Sequence, residues 1–482
     1  MDIANALADW ASGDGPLYSR LAAGIRRAVQ RGALPIGTRL PPERRLAQSL
    51  AVSRSTVVAA YEQLKSEGWL ESRQGSGTWI RRPRRDWEHV LDDERLAELG
   101  RVDVLRRGAA GPAIGLTAAA VEADPLVAEL AADLPGALAA VGEQHGYAPF
   151  GLDILREAIA EHLTAQGLPT GPHQVLVTTG AMQAIFLAAL SYVRPGDSVV
   201  VESPGYPGAL DALRAVNARV RPLPVDGDGA RPDLLDDLLG RSGARLAYMV
   251  PTFHNPTGAL MSPGRRREVA RIVREHRVPL LEDDVLRGTE LVDAPPPPIA
   301  ASDPDGFVLT VGSMSKLFWA GLRVGWLRAP EHVVARLAKL KNAVDLGTPV
   351  ADQLLAARLL RRADEVTARR RAGLGRRLEV LDRMLRELLP EWSYTRPEGG
   401  LSLWVRLPHG DASEFTQVAQ RHGVAIVPGG VFAPDEAHGD HVRLTFVASP
   451  ATLEEAVHRL ADAWRAYSAG RRSSLTVSGV VV

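Results

Sequence analysis

Between residues 112 and about 467, continuous apolar runs alternate with helical patterns. The runs lie at 175–178, 198–202, 247–250, 279–281, 307–311 and 324–327. A strand that is apolar on both faces must be covered on both faces. Helices placed between such strands supply the cover, and the strands then run mostly parallel. The pattern therefore predicts an α/β body built on a mostly parallel sheet. Beyond about 345, long helices precede alternating strands near 401–405 and 442–446, which predicts a smaller α+β lobe. The remaining tail, 468–482, reads as poorly ordered. At 482 residues the chain exceeds the roughly 250–300 over which one core grows, so a further domain is expected.

That domain is marked by charge. The chain is formally neutral, yet residues 1–85 hold fourteen Lys and Arg against seven acids. The head is thus +7 and the remainder −7, an asymmetry that suggests a nucleic-acid-binding head on an acidic body. Cysteine is absent, which excludes disulfides, thiolate catalysis and cysteine-ligated metals, and no metal site is expected. Residues 1–3 show no basic leader before an apolar run. The longest apolar stretch, 181–193, is interrupted by Gln183 and Ser191 and is too short to span a bilayer. A cytoplasmic protein without membrane contact is expected.

Residues 14–80 read as a compact helical unit ending in a β-ribbon. Leu17, Leu21, Ile25 and Ala28 share a helix face. Pro41-Pro42-Glu43 opens a short second helix with Leu46 and Leu50 turned inward. Ser53 can cap a third, where Val57, Ala60, Tyr61 and Leu64 recur at helical spacing. Two short helices across the Ala51-Val52 turn have the length of a helix-turn-helix, whose second helix lies in the major groove. Arg54 suits guanine or phosphate there, and Ser53, Ser55 and Thr56 suit phosphate. The turn Gln74-Gly75-Ser76-Gly77 is small enough to serve as a wing. The ordinary alternative is a helical bundle whose arginines simply face water.

Residues 81–111 form a mixed-charge linker, with a helix considered near 90–99. In the body, lysine is scarce. The chain has only Lys65, Lys316, Lys339 and Lys341. Lys65 belongs to the head, and Lys339 and Lys341 are expected to be solvated on a charged helix. Lys316, in Ser313-Met314-Ser315-Lys316, follows the 307–311 strand, at the strand ends where α/β folds place ligands. A pyridoxal phosphate site needs a lysine, an acid for the pyridine nitrogen, phosphate donors and a ring-stacking group. The end of another strand, Thr178-Thr179-Gly180-Ala181, offers helix N-terminal amides for a phosphate. Asp283 could hold the pyridine nitrogen protonated, Asn255 could bond the phenolate oxygen and Tyr206 could stack on the ring. Each also has an ordinary reading, as a surface lysine, loop acid, Asn-Pro turn and buried aromatic respectively.

The head segments Leu40-Pro41-Pro42-Glu43-Arg44-Arg45-Leu46-Ala47, Val52-Ser53-Arg54-Ser55-Thr56-Val57 and Gln74-Gly75-Ser76-Gly77-Thr78 resemble the GntR family of winged-helix regulators. That resemblance implies DNA contacts from Arg44, Ser53, Arg54, Ser55, Thr56 and Gly75. The body resembles fold-type I enzymes of the class I/II aminotransferase kind. Its motifs are Ser313-x-Ser315-Lys316, Gly321-Leu322-Arg323-x-Gly325, His254-Asn255-Pro256-Thr257-Gly258 and Gly146-Tyr147 before Gly151-Leu152.

The second resemblance implies pyridoxal 5'-phosphate as a Schiff base on Lys316, with Asp283 at the pyridinium and Asn255 at the phenolate. It implies phosphate contacts from Ser313, Arg323 and the Gly180-Ala181 backbone, and Tyr206 against the ring. Tyr147 would serve a neighbouring subunit's phosphate, and Arg443 would fork onto a substrate carboxylate. Relatives usually carry tyrosine where Val285 stands, which implies weakened transamination. Together, head (1–80), linker (81–111) and body (112–467) resemble the MocR-like subfamily. A transcription regulator is therefore expected, binding a double-stranded DNA operator and sensing an amine, an amino acid or the cofactor, as a head-to-tail domain-swapped homodimer. Two alternatives stay open: a genuine aminotransferase carrying a DNA-binding head, and a binding module whose body no longer holds cofactor.

Overall fold

The computed structural model describes residues 7, 10, 15–30, 34, 37–50, 52–73, 77–81, 113–143, 145–435 and 437–478. The chain divides into two compact units, Met1–Ala97 and Glu98–Val482.

In the first unit, α1 (Leu17–Gln30) buries Leu21, Ala22, Ile25 and Ala28. Strand β1 (Arg39–Leu40) leads into α2 (Glu43–Ser49) and α3 (Arg54–Ser66). Leu46 and Ala47 from α2, and Val57, Ala60, Tyr61 and Leu64 from α3, fill the same core. Ser53 caps α3, its Oγ accepting the Thr56 N–H at 3.1 Å. The Tyr61 hydroxyl donates to the Pro41 carbonyl at 2.9 Å and pins α3 against the entry to α2. Strands β2 (Leu70–Arg73) and β3 (Gly77–Ile80) form the expected antiparallel ribbon. β1 adds a third strand on the free edge of β3, with Leu40 opposite Thr78. Two residues carry no alternation to read, so this strand is silent in the sequence. Gly75 and the linker, including the helix considered near 90–99, lie outside the described residues.

The second unit opens with β4 (Ile114–Gly115). Its large sheet contains β5 (Val175–Thr178), β6 (Ser198–Ser203), β7 (Arg219–Asp226), β8 (Gly229–Ala230), β9 (Leu246–Met249), β10 (Leu280–Asp283), β11 (Val308–Ser313) and β12 (Gly325–Arg328). The spatial order is β5-β12-β11-β10-β9-β6-β7-β8. β11, β10, β9, β6 and β7 run parallel. β12 is antiparallel to both neighbours, and β8 to β7. The six apolar runs are therefore all strands of one sheet. β7 was not expected. It carries Arg219, Arg221, Pro222 and Pro224; one side pairs with β6, and the other meets only the two-residue β8 at Val225 and Asp226, which leaves its prolines on an open edge where they are tolerated.

Helices α4 (Ala181–Tyr192), α5 (Glu331–Asn342) and α6 (Ala363–Leu388) follow in chain order. The smaller lobe is an antiparallel sheet of β13 (Ser393–Tyr394), β14 (Ser402–Arg406), β16 (Val427–Pro428) and β17 (His441–Thr445). A short strand, β15 (Val424–Ala425), pairs in parallel with β4. The start of the second unit is thus sewn into the small lobe, and the Thr445 N–H donates to the Leu116 carbonyl at 3.2 Å. The last helix, α7 (Pro450–Ser478), continues past Ser468 into the stretch read as a poorly ordered tail. Among the described residues no helix is long and apolar enough to cross a membrane.

Candidate functional site

The C-terminal ends of β5, β9, β10 and β11 converge on a cavity of about 310 Å³. β5 ends at Thr178, and Thr179-Gly180 turns into α4, whose first amides have no intrahelical partner. Gly180 holds φ +85°, and a Cβ there would come within 2.7 Å of Arg323 Nη2. A Cβ on Gly325 would lie 2.7 Å from the Gly180 carbonyl carbon. Both glycines are therefore required for Arg323 to reach over the turn, where its Nη2 donates to the Thr179 carbonyl at 3.1 Å. Arg323 itself takes the left-handed conformation, φ +50°. At the end of β11, Ser313 Oγ sits 2.9 Å from Ser315 Oγ. Helix-start amides, two hydroxyls and a guanidinium form an anion cradle.

This turn is tethered from behind. Asp345 accepts from Gln183 Nε2 at 2.7 Å and Thr179 Oγ1 at 3.3 Å, and pairs with Lys341 at 2.8 Å. Lys341, expected to be solvated, is fully buried, whereas Lys339 is exposed. The correction follows from where α5 packs: its inner face meets α4, and Asp345 supplies the counter-charge that makes a buried ammonium tolerable.

Lys316 projects into the cavity, and its Nζ donates to the Ala119 carbonyl at 2.6 Å. Burial, with Arg443 nearby, pushes its ammonium down to about 8. Asp283, at the end of β10, is buried. Its Oδ2 accepts from the Tyr248 hydroxyl at 2.6 Å and its Oδ1 from the Val285 N–H at 3.1 Å. Burial pushes this carboxyl up to about 6 despite those donors.

On the small-lobe side, Arg443 from β17 is fully buried. Its Nη1 donates to Asn255 Oδ1 at 3.2 Å, its Nη2 to the Thr117 carbonyl, and its guanidinium lies 4.9 Å from the Phe432 ring centre. No carboxylate pairs with it among the described residues, and burial pushes it down to about 10. Tyr206 and Val285 are half-buried on the cavity wall. Tyr147 lies outside this cavity and is 64% exposed.

The cavity thus gathers Lys316, Asp283, Asn255, Tyr206, Ala181, Ser313, Arg323 and Arg443, with Gly180 directly behind its edge. Sequence reasoning missed Tyr248, the tether through Gln183 and Asp345, and the strap 117–120 that accepts from both Arg443 and Lys316. Gln183 and Tyr248 did leave a signal. Each places a polar group inside an otherwise apolar segment, where it must find a partner.

In the first unit, Arg44, Ser53, Arg54 and Ser55 are exposed and Thr56 is half-buried. Ser53 Oγ lies 2.8 Å from Ser55 Oγ and 2.7 Å from Thr56 Oγ1. The start of α3 therefore presents a hydroxyl cluster, with the Arg54 side chain beside it. Neither Arg44 nor Arg54 forms an ion pair among the described residues.

The fold and this cavity define a body of the fold-type I class, whose enzymes depend on pyridoxal phosphate. Residues 115–460 match the family "Aminotransferase class I and II", and residues 17–80 match "Bacterial regulatory proteins, gntR family". The HTH-type transcriptional regulator YisV of Bacillus subtilis (strain 168) is 30% identical over 94% of this chain and 96% of its own. A Rhizobium meliloti relative named "Probable rhizopine catabolism regulatory protein MocR" is 32% identical over 66% of each chain. The crystal structure of LysN, the alpha-aminoadipate aminotransferase from Thermus thermophilus, superposes with a TM-score of 0.72 at 28% identity, over 80% of this chain and 100% of that one. The chain belongs to the MocR-like HTH-type transcriptional regulators, in which a GntR DNA-binding domain is fused to a class I/II aminotransferase domain.

Proposed function

We propose that the body binds pyridoxal 5'-phosphate, senses an amine or amino acid beside it, and sets the DNA affinity of the heads of a homodimer. The cofactor supplies, when bound, an electrophilic carbon for primary amines and an electron-withdrawing ring. The chain's residues suit it. Lys316 offers an amine that loses its proton at about pH 8, well below the ordinary lysine range, and Asp283 a buried acceptor held in place by Tyr248. In the cradle of Ser313, Arg323 and the Gly180-Ala181 backbone, the missing Cβ atoms of Gly180 and Gly325 let the Arg323 guanidinium close over the helix start, where it can pair with a phosphate. Asn255 turns its Oδ1 to Arg443, which leaves its amide N–H groups to donate to the phenolate oxygen. Tyr206 flanks the ring position. Tyr147, outside its own chain's cavity, is left to serve a neighbouring copy.

The observation that carries sensing is the strap. Lys316 holds the Ala119 carbonyl and Arg443 holds the Thr117 carbonyl; the first donor is the group the cofactor would take and the second the group a ligand carboxylate would take. Cofactor and carboxylate together would withdraw both hydrogen bonds from one segment. That segment follows the linker in sequence, separated from it by β4. A body with two such states would bias DNA binding only through its different ligand affinity in each. The test is DNA affinity of the cofactor-loaded protein with and without amino acids. Equal affinity across a panel that perturbs the cofactor's absorbance would refute sensing.

A second reading, turnover as an aminotransferase, is favoured by the retention of Lys316, Asp283 and Arg443 together. Val285 opposes it by placing a hydrocarbon on the cavity wall where relatives offer a phenol. Amino-group transfer to 2-oxo acids, followed through several turnovers, decides between them.

A further inference from the structure

We propose that Arg39 enters the minor groove of the DNA that α3 meets and selects A·T pairs there. The inference rests on the DNA-binding reading and is independent of the cofactor. Arg39 is not among the head residues whose sequence pattern points to DNA.

Strand β1 has two unlike faces: Leu40 is buried in the core of the head and Arg39 is exposed. Arg39 stands opposite Trp79 of β3, so Gly77 is its diagonal neighbour on the same outer face. The guanidinium group reaches that diagonal. A Cβ on Gly77 would lie 2.7 Å from Arg39 Nε and 3.1 Å from its Nη2. Gly77 also holds φ +97°, a backbone that glycine takes without strain. It is the first residue of β3, next to the 74–76 segment that reads as the wing. The Arg39 side chain therefore runs from β1 to the base of the wing and sets a cation there. It forms no ion pair or hydrogen bond among the described residues.

An exposed arginine is ordinarily a freely moving surface group. This one lies against backbone that lacks a side chain, which orders the guanidinium before binding and lowers the entropy lost on contact. Its position suits a second groove. Arg39 precedes Arg44 by five residues, so their Cα atoms are at most ~17 Å apart. A major groove about 12 Å wide adjoins a minor groove about 6 Å wide. With α3 in the major groove, the next minor groove is within reach of Arg39. A narrow A·T-rich minor groove concentrates negative potential and attracts arginine. A G·C pair instead places the guanine N2 amino group in that groove, a donor facing a side chain that can only donate. Selection of A·T follows from that mismatch.

Full-length wild-type protein first selects a duplex from a random-sequence library of double-stranded DNA, and the selected duplex is the probe. A·T pairs flanking the bases read by α3 are then replaced by G·C or by inosine·C, which lacks the N2 amino group. At the Arg39 position, G·C is expected to weaken wild-type binding at least tenfold and inosine·C to restore it. Arg39→Ala is expected to bind the selected duplex at least tenfold more weakly, to lose the A·T preference there, and to melt at the wild-type temperature. If Arg39→Ala melts lower, Arg39→Gln, which keeps a stem over Gly77 without the charge, carries the same expectation and the same refutation.

Wild-type affinity in the variant overturns the proposal. So does a loss equal across all three probes, which marks a phosphate contact. Inosine·C acting like G·C points to the major-groove edge and also overturns it, as does a selected duplex with no A·T preference in its flanks. Wild-type protein that selects no duplex refutes both this inference and the DNA binding on which it rests.

Discussion

The two units present charge in opposite ways. In the DNA-binding unit, Arg44 and Arg54 are exposed and without ion pairs among the described residues, beside a hydroxyl cluster at the start of α3. In the body, Lys316, Asp283 and Arg443 are withdrawn from water and held by neighbouring oxygens or N–H groups. Exposed charges attract a polyanion over distance and respond to salt. Buried charges are shifted in pKa, respond to pH and select a ligand by pairing it. One surface can therefore recruit a polymer while the other discriminates small molecules.

The largest effect should come from Lys316→Ala. Loss of the only lysine that lines the cavity among the described residues should abolish retention of cofactor absorbance after dialysis. A variant as coloured as wild type would remove Lys316 from the site. Next, Arg44→Ala with Arg54→Ala should weaken operator binding by ~100-fold and lower the log-log salt slope by about 2, as expected for two lost phosphate or base contacts. A slope identical to wild type would show that these side chains do not meet DNA.

Arg443→Lys keeps the charge but loses the fork, so it should weaken the amino-acid response about tenfold with cofactor content unchanged. A full response in DNA-binding assays would place the carboxylate elsewhere. The pH dependence tests the buried side further. The Lys316 amine is lowered from its ordinary range to about 8, so its neutral, nucleophilic form grows as pH rises through that value. Cofactor capture by apoprotein should accelerate from about pH 7 to about pH 9, and a flat stopped-flow profile would contradict the shift. The smallest effect belongs to the head's architecture: Ser53→Ala removes the α3 cap and should cost ~1 kcal/mol of that unit's stability in denaturant melts.

Legibility followed the same divide. The helices and ribbon of the head were readable because capping, turn residues and apolar spacing are local. So were the six central strands, whose runs of Val, Leu and Ile admit few other uses. The near-edge strand β7 was not, because its arginines and prolines mimic a loop when its neighbours are unknown. Lys316, Asp283 and Asn255 were legible through strand-end position and motif. The strap was not: Thr117, Ala118, Ala119 and Ala120 carry no chemistry of their own, and only the pairing of β4 with β15 brings them over the cavity.

The sequence alone determined the order of domains, the sign of charge on each and the residue types able to hold a cofactor, because these are properties of composition and short-range spacing. Tertiary structure decided which of those residues face one another. Tyr248 meets Asp283, Lys341 is buried against Asp345, and Arg443 reaches Asn255 across 188 positions of chain. Such pairings depend on how strands are ordered in space, and no local pattern encodes that order.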